Sequence, residues 1–209
     1  MPLCVRDLGL LPYAQAHEVQ VRAVEDRLAE RCSDTLLLLE HHAVITLGRG
    51  TNPANVKSAG DIPVVPCERG GDVTLHAPGQ LVGYFIRRLP DGAGGLHRHL
   101  RDIEEALLQV CALHGLEGQR CSGATGVWVG DRKLASIGIA CKRHVTWHGF
   151  ALNVNTDLAL FERINPCGFS AGVMTTLERE TQRTLDMREI KAQCAEALAQ
   201  VCGTTVLLA

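Results

Sequence analysis

The sequence lacks the features that mark membrane, secreted or nucleic-acid-binding proteins. A net charge of -2 at pH 7 gives no overall basic excess with which to bind nucleic acid. No apolar run approaches the roughly 20 residues that a membrane-spanning helix needs, and the longest candidate, residues 35–39, has the length of a strand. The first residues show no charged segment followed by an apolar one, the pattern of a signal peptide. We therefore expect a cytoplasmic protein with no nucleic-acid or membrane partner.

Cysteine is plentiful, but its arrangement argues against two common uses. The nine cysteines are scattered, their number is odd and no Cys-x-x-Cys occurs. This pattern argues against a disulfide framework and against a structural zinc site, so we predict a reducing environment and no metal. The chain also has no repeats, low-complexity tracts or linkers. Its 209 residues fit one large domain, or one with a small appendage, and we predict a single domain over residues 1–209.

Hydrophobic periodicity predicts a mixture of helices and strands. Pro12 begins a helix in which five positions recur at helical spacing: Ala14, His17, Val21, Val24 and Leu28. Later segments are predicted as strands at 35–39, 43–47, 81–89, 126–129, 134–141 and 145–155, an edge strand at 204–208, helices at 96–114 and 185–201, and a loop at 90–95. Helices and strands do not alternate as they do around a parallel sheet, so we predict an α+β fold.

The helix at 96–114 has a clear apolar face. Ile103, Leu107 and Val110 share this face, and we expect them to be buried. His97 and His99 fall in the polar first turn, where solvation would account for them. No function is assigned to this helix.

The stretch from Arg69 to Tyr84 is the first candidate for a site. It contains four glycines, one arginine and one histidine. Glycine lets the backbone turn tightly and approach a ligand closely, and Arg69 would place a permanent charge beside exposed N–H groups that suit a carbonyl, carboxylate or phosphate oxygen. The alternative is a glycine hairpin whose Arg69 and His76 face water. Taken alone, the stretch favours that alternative, since glycine pairs mark turns more often than sites.

Cys167 is the cysteine with the most reactive setting. It lies between Pro166 and Gly168 in a segment with little hydrophobic periodicity. A nucleophilic cysteine must be a thiolate, which needs a nearby cation or base. The candidates for that partner are all remote in sequence, and they are His76, His144, His148 and Lys133. Residue types alone leave a Cys–His hydrolase and a purely structural cysteine equally open.

Four motifs in this order resemble the octanoyltransferases of lipoate synthesis. They are Arg69-Gly-Gly-Asp-x-Thr-x-His-x-Pro-Gly-Gln80, Gly126-Val-Trp-Val129 with Arg132-Lys-Leu-Ala-Ser-Ile-Gly-Ile139, His148-Gly-Phe-Ala-Leu-Asn153, and Pro166-Cys-Gly168. Each motif is weak by itself, whereas the ordered set covers most of the chain. The resemblance implies the fold shared by biotin and lipoate ligases, a mixed sheet flanked by helices. It also implies transfer of octanoate from acyl carrier protein to a lysine of lipoyl domains.

The resemblance also assigns roles to residues. Cys167 matches the cysteine that carries the acyl group as a thioester, and Lys133 matches the lysine that holds this cysteine as a thiolate. The matching acyl-binding residues are Arg69, Gly70, Gly71, Asp72, Val73, Thr74, Leu75, His76, Ser136, Ile137, Gly138, Gly149, Phe150 and Ala151. Backbone N–H groups of the glycine segments could stabilise the tetrahedral oxyanion. The implied acceptors are lipoyl domains of 2-oxoacid dehydrogenase E2 subunits and the glycine cleavage H protein.

Two alternatives to the transferase remain. One is an ATP-dependent lipoate or biotin ligase, which forms an acyl-adenylate and needs no nucleophilic cysteine. The other is an inactive binding homologue. Thioester exchange needs no ATP and no other cofactor, in keeping with the absence of a Gly-x-x-x-x-Gly-Lys-Ser/Thr loop. One position departs from the family pattern, because Ala77 stands where glycine is usual. We infer that this position does not need a positive φ, where alanine would be strained by roughly 1–2 kcal/mol.

Overall fold

A computed structural model describes residues 1–90 and 94–209, apart from the side chain of residue 167. The loop predicted at 90–95 therefore falls mostly on residues 91–93, which lie outside the described residues. The strands are β1 Leu3–Leu11, β2 Thr35–His41, β3 Val44–Leu47, β4 Val64–Pro66, β5 Val73–His76, β6 Gln80–Ile86, β7 Gly118–Cys121, β8 Ala124–Val129, β9 Arg132–Lys142, β10 Val145–Asn153 and β11 Val206–Leu208. The α-helices are α1 Tyr13–Leu28, α2 Gly95–Leu113, α3 Leu177–Thr181 and α4 Met187–Val201.

Eight strands form a mixed sheet in the order β11-β1-β2-β6-β10-β9-β8-β7. The first three of these strands run parallel to one another, and every later pair is antiparallel. Three further strands form a small sheet in the order β4-β3-β5. Helices cover both faces of the large sheet, which confirms the predicted α+β class. None of the helices in the described part of the chain has the length and apolar composition needed to cross a bilayer.

Strand β2 lies at the centre of the layers because both of its faces are apolar. Leu36 and Leu38 pack with α2 and α4 on one face of the sheet, whereas Leu37 and Leu39 pack with α1 on the other. Alternate side chains of a strand point to opposite faces, so an uninterrupted leucine run is the composition of a strand buried on both sides. The predicted strand at 35–39 is confirmed and extends two residues further to His41.

Helix α1 forms where it is predicted, but it buries a different face. Its buried positions are Tyr13, Ala16, Gln20, Ala23 and Arg27. Ala14 and Val21, which the periodicity places on the buried face, are exposed, and the other predicted positions are only partly buried. The reason is polar pairing with the sheet. The Gln20 Oε1 accepts a hydrogen bond from the His148 N–H at 2.5 Å, and the Arg27 Nε donates to Asp34 Oδ1 at 2.7 Å.

Helix α2 confirms most of its predicted face. Ile103, Leu107 and Val110 are buried in the main core. His99 is buried as well, with its ring 5.1 Å from that of Phe85, so the prediction that it is solvated is wrong. Neither ring nitrogen of His99 has a hydrogen-bond partner among the described residues. Its neighbour His97 is exposed, as predicted.

Four strands, β1, β4, β5 and β7, are not among those predicted from the sequence. In β1, only Leu3 and Val5 are buried, and a bulge between Asp7 and Gly9 breaks the alternation. Strand β7 is an edge strand that is mostly exposed. The edge strand predicted at 204–208 does form, as β11, and pairs in parallel with β1.

We predict that α1 tolerates bulk at Ala14 but not at Ala16. Ala16→Leu should lower the free energy of unfolding by about 1–3 kcal/mol, because Ala16 is fully buried against the sheet and extra methyl groups force the packing apart. Ala14→Leu should change it by less than about 0.5 kcal/mol, because Ala14 faces solvent. Urea unfolding of both variants measures the difference. A larger loss of unfolding free energy in Ala14→Leu than in Ala16→Leu would show that α1 buries the face that the periodicity indicates.

Candidate functional site

A cleft lies between the small sheet and the large one, with about 550 Å³ of space including its open mouth. Its walls come from β5 and the loop before it on one side and from β9 and β10 on the other. The lining residues are Tyr13, Thr46, Arg69, Gly70, Gly71, Asp72, Thr74, His76, Val82, Tyr84, Lys133, Ser136, Ile137, Gly138, His148, Gly149, Phe150 and Ala151. Thirteen of the sixteen residues predicted for the site are in this set. Val73 and Leu75 are not, and the side chain of Cys167 lies outside the described residues.

Arg69 holds the loop together from inside. Its Nη1 donates to the carbonyls of Asp72 at 2.7 Å and Gly70 at 3.2 Å. Its Nη2 donates to the carbonyl of Thr46 at 2.9 Å and to the hydroxyl of the same residue at 3.0 Å. The side chain is therefore buried, and most of its donors are used within the protein. Arg69 shapes the loop rather than presenting a charge to solvent.

The glycines of the loop allow it to contact β9. The Gly70 N–H donates to the carbonyl of Ile139 at 2.8 Å, so this amide is not available to an oxyanion. A Cβ at Gly138 would lie 3.0 Å from the Gly70 carbonyl oxygen, which is closer than ordinary contact. Gly71 has a φ of +84°, a conformation that disfavours every L side chain. Gly138 thus allows the close approach of the loop to β9, and Gly71 allows the turn.

Strand β5 divides the predicted binding residues into two sets. Thr74 and His76 line the cleft, whereas Val73 and Leu75 are fully buried in the core of the small sheet. This division follows from the alternation of side chains along a strand. His76 is fixed by a hydrogen bond of 2.7 Å between its Nδ1 and the Oε1 of Gln80.

Asp72 lies in the loop before β5 and anchors it by hydrogen bonds. Its carboxylate accepts from the N–H groups of Asn52 at 3.1 Å and of Val73 at 2.7 Å, and from the side-chain amide of Asn55. These contacts tie the cleft wall to the segment that follows β3. Asp72 borders the cleft, but its oxygens are directed to the protein.

The opposite wall consists of paired segments of β9 and β10. Their register places Ser136 opposite Ala151, Ile137 opposite Phe150, and Gly138 opposite Gly149. All six residues border the cleft. The two motifs that the sequence places about ten residues apart are therefore direct neighbours across one antiparallel pair.

Lys133 is buried at the edge of the cleft, with 1% of its surface exposed. It follows the first residue of β9, next to a register shift at Trp128 in the pairing with β8. Its Nζ lies 5.7 Å from the ring centre of Trp128 and 5.9 Å from that of Phe169. The alternative to a functional Lys133 is a solvated lysine at the end of a strand. Its burial excludes that alternative.

The chain reaches Lys133 within a few residues after position 167. Residues Pro166–Gly168 form one 3₁₀ turn, and the chain then returns to β9, where the Thr175 N–H donates to the Lys133 carbonyl at 3.0 Å. The Phe169 ring contacts the Lys133 amino group, and the Cα of residue 167 can be at most about 7 Å from that of residue 169. The side chain of Cys167 lies outside the described residues, so only its backbone is placed.

Aromatic and imidazole rings form the far wall of the cleft. Both tyrosines of the chain, Tyr13 and Tyr84, line it, although neither is predicted as a site residue. The Tyr84 hydroxyl lies 2.7 Å from the Nε2 of His41, and the ring of His41 is 5.5 Å from that of His76. Because tyrosine occurs only twice in the sequence, its rarity is the one signal that could have singled out these positions.

Burial keeps the histidines of this wall neutral at pH 7. Loss of solvent lowers the pKa of His41 to about 4, although a hydrogen bond to the Leu11 carbonyl opposes this. Burial likewise lowers the pKa of His148 to about 4, against the attraction of Glu68, whose carboxylate lies 3.4 Å from its Nε2. His148 also has a φ of 58°, held by the bond from its N–H to Gln20. Of the predicted partners for Cys167, His76 and His148 therefore face the cleft as neutral rings.

Ala77 does not occupy the left-handed region, as expected from the substitution. The neighbouring Gly79 does, with a φ of +83°, and its N–H donates to Glu40 Oε2 at 2.8 Å. The turn therefore takes its positive φ from Gly79. Alanine is accepted at position 77 without backbone strain.

Sequence comparisons link the chain to enzymes of lipoate metabolism. The family model for the lipoyl protein ligase A/B catalytic domain matches residues 12–199. An octanoyltransferase of Syntrophotalea carbinolica is 44% identical over 205 residues, which are 98% of this chain and 97% of that protein. An octanoyltransferase of Geobacter sulfurreducens is 46% identical over 193 residues, which are 92% of this chain and 82% of that protein.

Solved structures share the fold at low sequence identity. A bi-partite lipoate protein ligase from Thermoplasma acidophilum aligns with a TM-score of 0.78 at 12% identity, over 100% of this chain and 87% of that one. The biotin protein ligase of Aquifex aeolicus aligns with a TM-score of 0.54 at 14% identity, over 97% of this chain and 69% of that one. The predicted fold of biotin and lipoate ligases is confirmed.

Gly70 and Gly71 should respond differently to the same substitution. Gly71→Ala should lower the free energy of unfolding by roughly 1–2 kcal/mol, because alanine is strained at positive φ. Gly70→Ala should change it by less than about 0.5 kcal/mol, because a Cβ there meets only the Ile139 carbonyl oxygen, at an ordinary 3.5 Å. Urea unfolding of the two variants compares the costs. Equal losses of unfolding free energy in the two variants would show that backbone strain does not determine the effect of Gly71→Ala.

The buried histidines should make the protein sensitive to acid. His41 and His99, with pKa values lowered by burial to about 4 and about 3, are neutral when folded and take up protons when unfolded below about pH 6.5. Stability is thus fully present above pH 6.5 and should fall toward pH 4 by about 1.4 kcal/mol per pH unit for each histidine.

Two variants of α2 test this dependence. His99→Leu should flatten the fall in the free energy of unfolding between pH 6.5 and 4.5, whereas His97→Gln, at an exposed position of the same helix, should leave it unchanged. Urea unfolding at four pH values provides the slopes. An unchanged slope in His99→Leu would mean that this ring does not contribute.

Proposed function

Since the chain belongs to the octanoyltransferases of the lipoyl protein ligase A/B catalytic domain family, we propose that it transfers an octanoyl group from acyl carrier protein to a lysine of lipoyl domains. The observation that carries this proposal is the position of Lys133, which is buried at the cleft with its amino group 5.9 Å from the ring centre of Phe169, the residue directly after the Pro166–Gly168 turn. Cys167 would carry the acyl group as a thioester. The acceptors would be lipoyl domains of 2-oxoacid dehydrogenase E2 subunits and the glycine cleavage H protein.

In the first half-reaction, the Cys167 thiolate attacks the carbonyl carbon of the octanoyl thioester. A new carbon–sulfur bond forms, the bond to the carrier sulfur breaks, and the carrier leaves as a thiol after taking the proton of the Lys133 ammonium group, which leaves Lys133 as a neutral amine. One thioester replaces another, so little bond energy changes and no nucleotide is consumed. Lys133 supports this step by placing its amino group beside the sulfur.

In the second half-reaction, the neutral amine of the acceptor lysine attacks the Cys167 thioester. An amide bond forms, the carbon–sulfur bond breaks, and Cys167 leaves as a thiolate. The attacking amine must lose one proton as the amide forms. Lys133, as a neutral amine, would accept that proton, which arginine could not do. The amide is more stable than the thioester, so the step runs forward.

The two walls of the cleft support acyl binding. The wall of Ile137, Phe150, Ala151 and Val82 is apolar and suits an alkyl chain. The loop of Gly70 and Gly71 would pass close to the reacting carbonyl. Because the Gly70 N–H is bonded to Ile139, it would not be a donor to the oxyanion.

We propose that the protein is a single-domain transferase and that it acts in the cytoplasm. Both protein substrates would be acidic, and four exposed basic residues could attract them although the net charge is only -2. They are Arg49, Lys57, Lys142 and Arg143. Such charges at a rim act mainly on the rate of association.

The ATP-dependent ligase is the weaker alternative. The octanoyltransferases are 44% and 46% identical to this chain, whereas the lipoate ligase of similar structure is 12% identical and shows the fold alone. The two reactions also differ chemically, because a ligase passes through an acyl-adenylate. A covalent octanoyl group on a cysteine would separate them, and an inactive homologue would form neither species.

Cys167→Ser should abolish both acyl loading and transfer, because a hydroxyl is a far weaker nucleophile than a thiolate at neutral pH. After incubation with octanoyl-acyl carrier protein and no ATP, peptide mass spectrometry should find one octanoyl group on Cys167 of the wild type. Cys121→Ser, at an exposed position on an edge strand, provides the matched control and should load normally. Loading and transfer at wild-type rates in Cys167→Ser would overturn the proposed function.

A further inference from the structure

We propose that Phe169 and Trp128 form an aromatic pair that holds the Lys133 amino group, and thereby keeps the thiol of Cys167 ionised. Both would be positioning residues, since they act through Lys133 and touch no reacting atom. The inference deepens the proposed function and rests on it, because it assigns to Lys133 and Cys167 the roles given there. It concerns two residues to which the resemblance assigns no role, although Trp128 lies within one of the four motifs.

The geometry of three side chains carries the inference. The Lys133 Nζ lies 5.7 Å from the ring centre of Trp128 and 5.9 Å from that of Phe169. The two rings meet edge to face, with 5.4 Å between their centres and 76° between their planes. An amino group within about 6 Å of a ring face is attracted by the ring's negative charge density when it carries a proton. Two rings act on one amino group here.

The pair comes from the two parts of the chain that build the site. Trp128 lies on β8, where the register shift opposite Lys133 occurs. Phe169 follows the Pro166–Gly168 turn directly, so the residue that contacts Lys133 is two positions after Cys167. Contact between Phe169 and Lys133 therefore links the segment directly after the turn to β9.

The need for such a pair follows from burial. With 1% of its surface exposed, Lys133 has lost most of the water that would stabilise a protonated amine. Aromatic faces replace part of that stabilisation without competing for the hydrogen bonds of the amino group. A protonated Lys133 in turn favours the thiolate of Cys167. Loss of one ring should therefore move ionisation of the thiol to higher pH.

Phe169 is the better position to test, because it is 36% exposed and its replacement should not unfold the protein. Phe169→Leu keeps apolar bulk but removes the ring, whereas Phe169→Tyr keeps the ring. The measured quantity is the rate at which iodoacetamide alkylates Cys167 between pH 5 and 9, followed by peptide mass spectrometry so that the other cysteines do not interfere. In this reaction the thiolate sulfur displaces iodide.

Phe169→Leu should alkylate about three- to tenfold more slowly than the wild type at pH 7, with its rise displaced to higher pH. Phe169→Tyr should keep the wild-type profile. In a Lys133→Ala background, which should itself alkylate slowly, Phe169→Leu should add no further loss, because the ring acts through the lysine. Trp128→Phe, which keeps a ring at the other position, should lie between Phe169→Leu and the wild type.

An alkylation profile of Phe169→Leu that matches the wild type would overturn the inference. It would also be overturned if Phe169→Leu slowed alkylation of Cys167 as much in the Lys133→Ala background as it does in the wild type. The measurement uses no octanoyl substrate, so its failure can be told from failure of the proposed function. If Cys167 never loads octanoate but the alkylation profile shifts as expected, the inference stands and the function is wrong. If Cys167 loads octanoate and the alkylation profile does not move, the proposed function stands and the inference is wrong.

Discussion

The structure depends on a close backbone contact between the loop that begins at Arg69 and strand β9. The Gly70 N–H donates to the Ile139 carbonyl at 2.8 Å, and Gly138 leaves no Cβ in the way. This contact holds the small sheet against the large one and leaves the cleft between them. From behind, the Arg69 guanidinium binds three carbonyl oxygens, one of them of Thr46 on β3. The charge of Arg69 is thus used to fix the shape of the loop.

Local patterns predict the fold best where packing and periodicity agree. Helix α2 buries Ile103, Leu107 and Val110, which its periodicity selects, because it packs on the main core. Strands β8 to β10 form in the segments where they are predicted. Helix α1 does not, because the face it buries includes Gln20 and Arg27, whose partners lie on other elements at positions that no local pattern reveals. Strand β1 is missed for a related reason. Only Leu3 and Val5 of its apolar residues are buried, and the bulge between Asp7 and Gly9 breaks the alternation that would mark a strand.

The candidate site is only partly predictable from the sequence, because local motifs do not reveal contacts between distant elements. Glycine and lysine motifs identify both walls of the cleft, but they cannot show that β5 points Thr74 into the cleft and Val73 away from it unless the strand is recognised as one. The tyrosines come from α1 and β6 and meet only after folding. The role of Arg69 is where the observed site differs most clearly from the predicted one. Its partners are carbonyl groups, which every residue has, so sequence cannot distinguish a ligand-binding arginine from one that binds its own loop.

Burial then decides which groups at the cleft carry charge. His41 and His148 are neutral at pH 7 because the interior disfavours their charged forms. Arg69 remains charged, but most of its donors bind carbonyl oxygens within the loop. Negative charge that develops on a sulfur or on a thioester oxygen in this cleft would therefore be stabilised mainly through Lys133. A buried amine can serve in that way only if its own protonated form is stabilised, and we propose that the aromatic rings beside Lys133 contribute to that stabilisation.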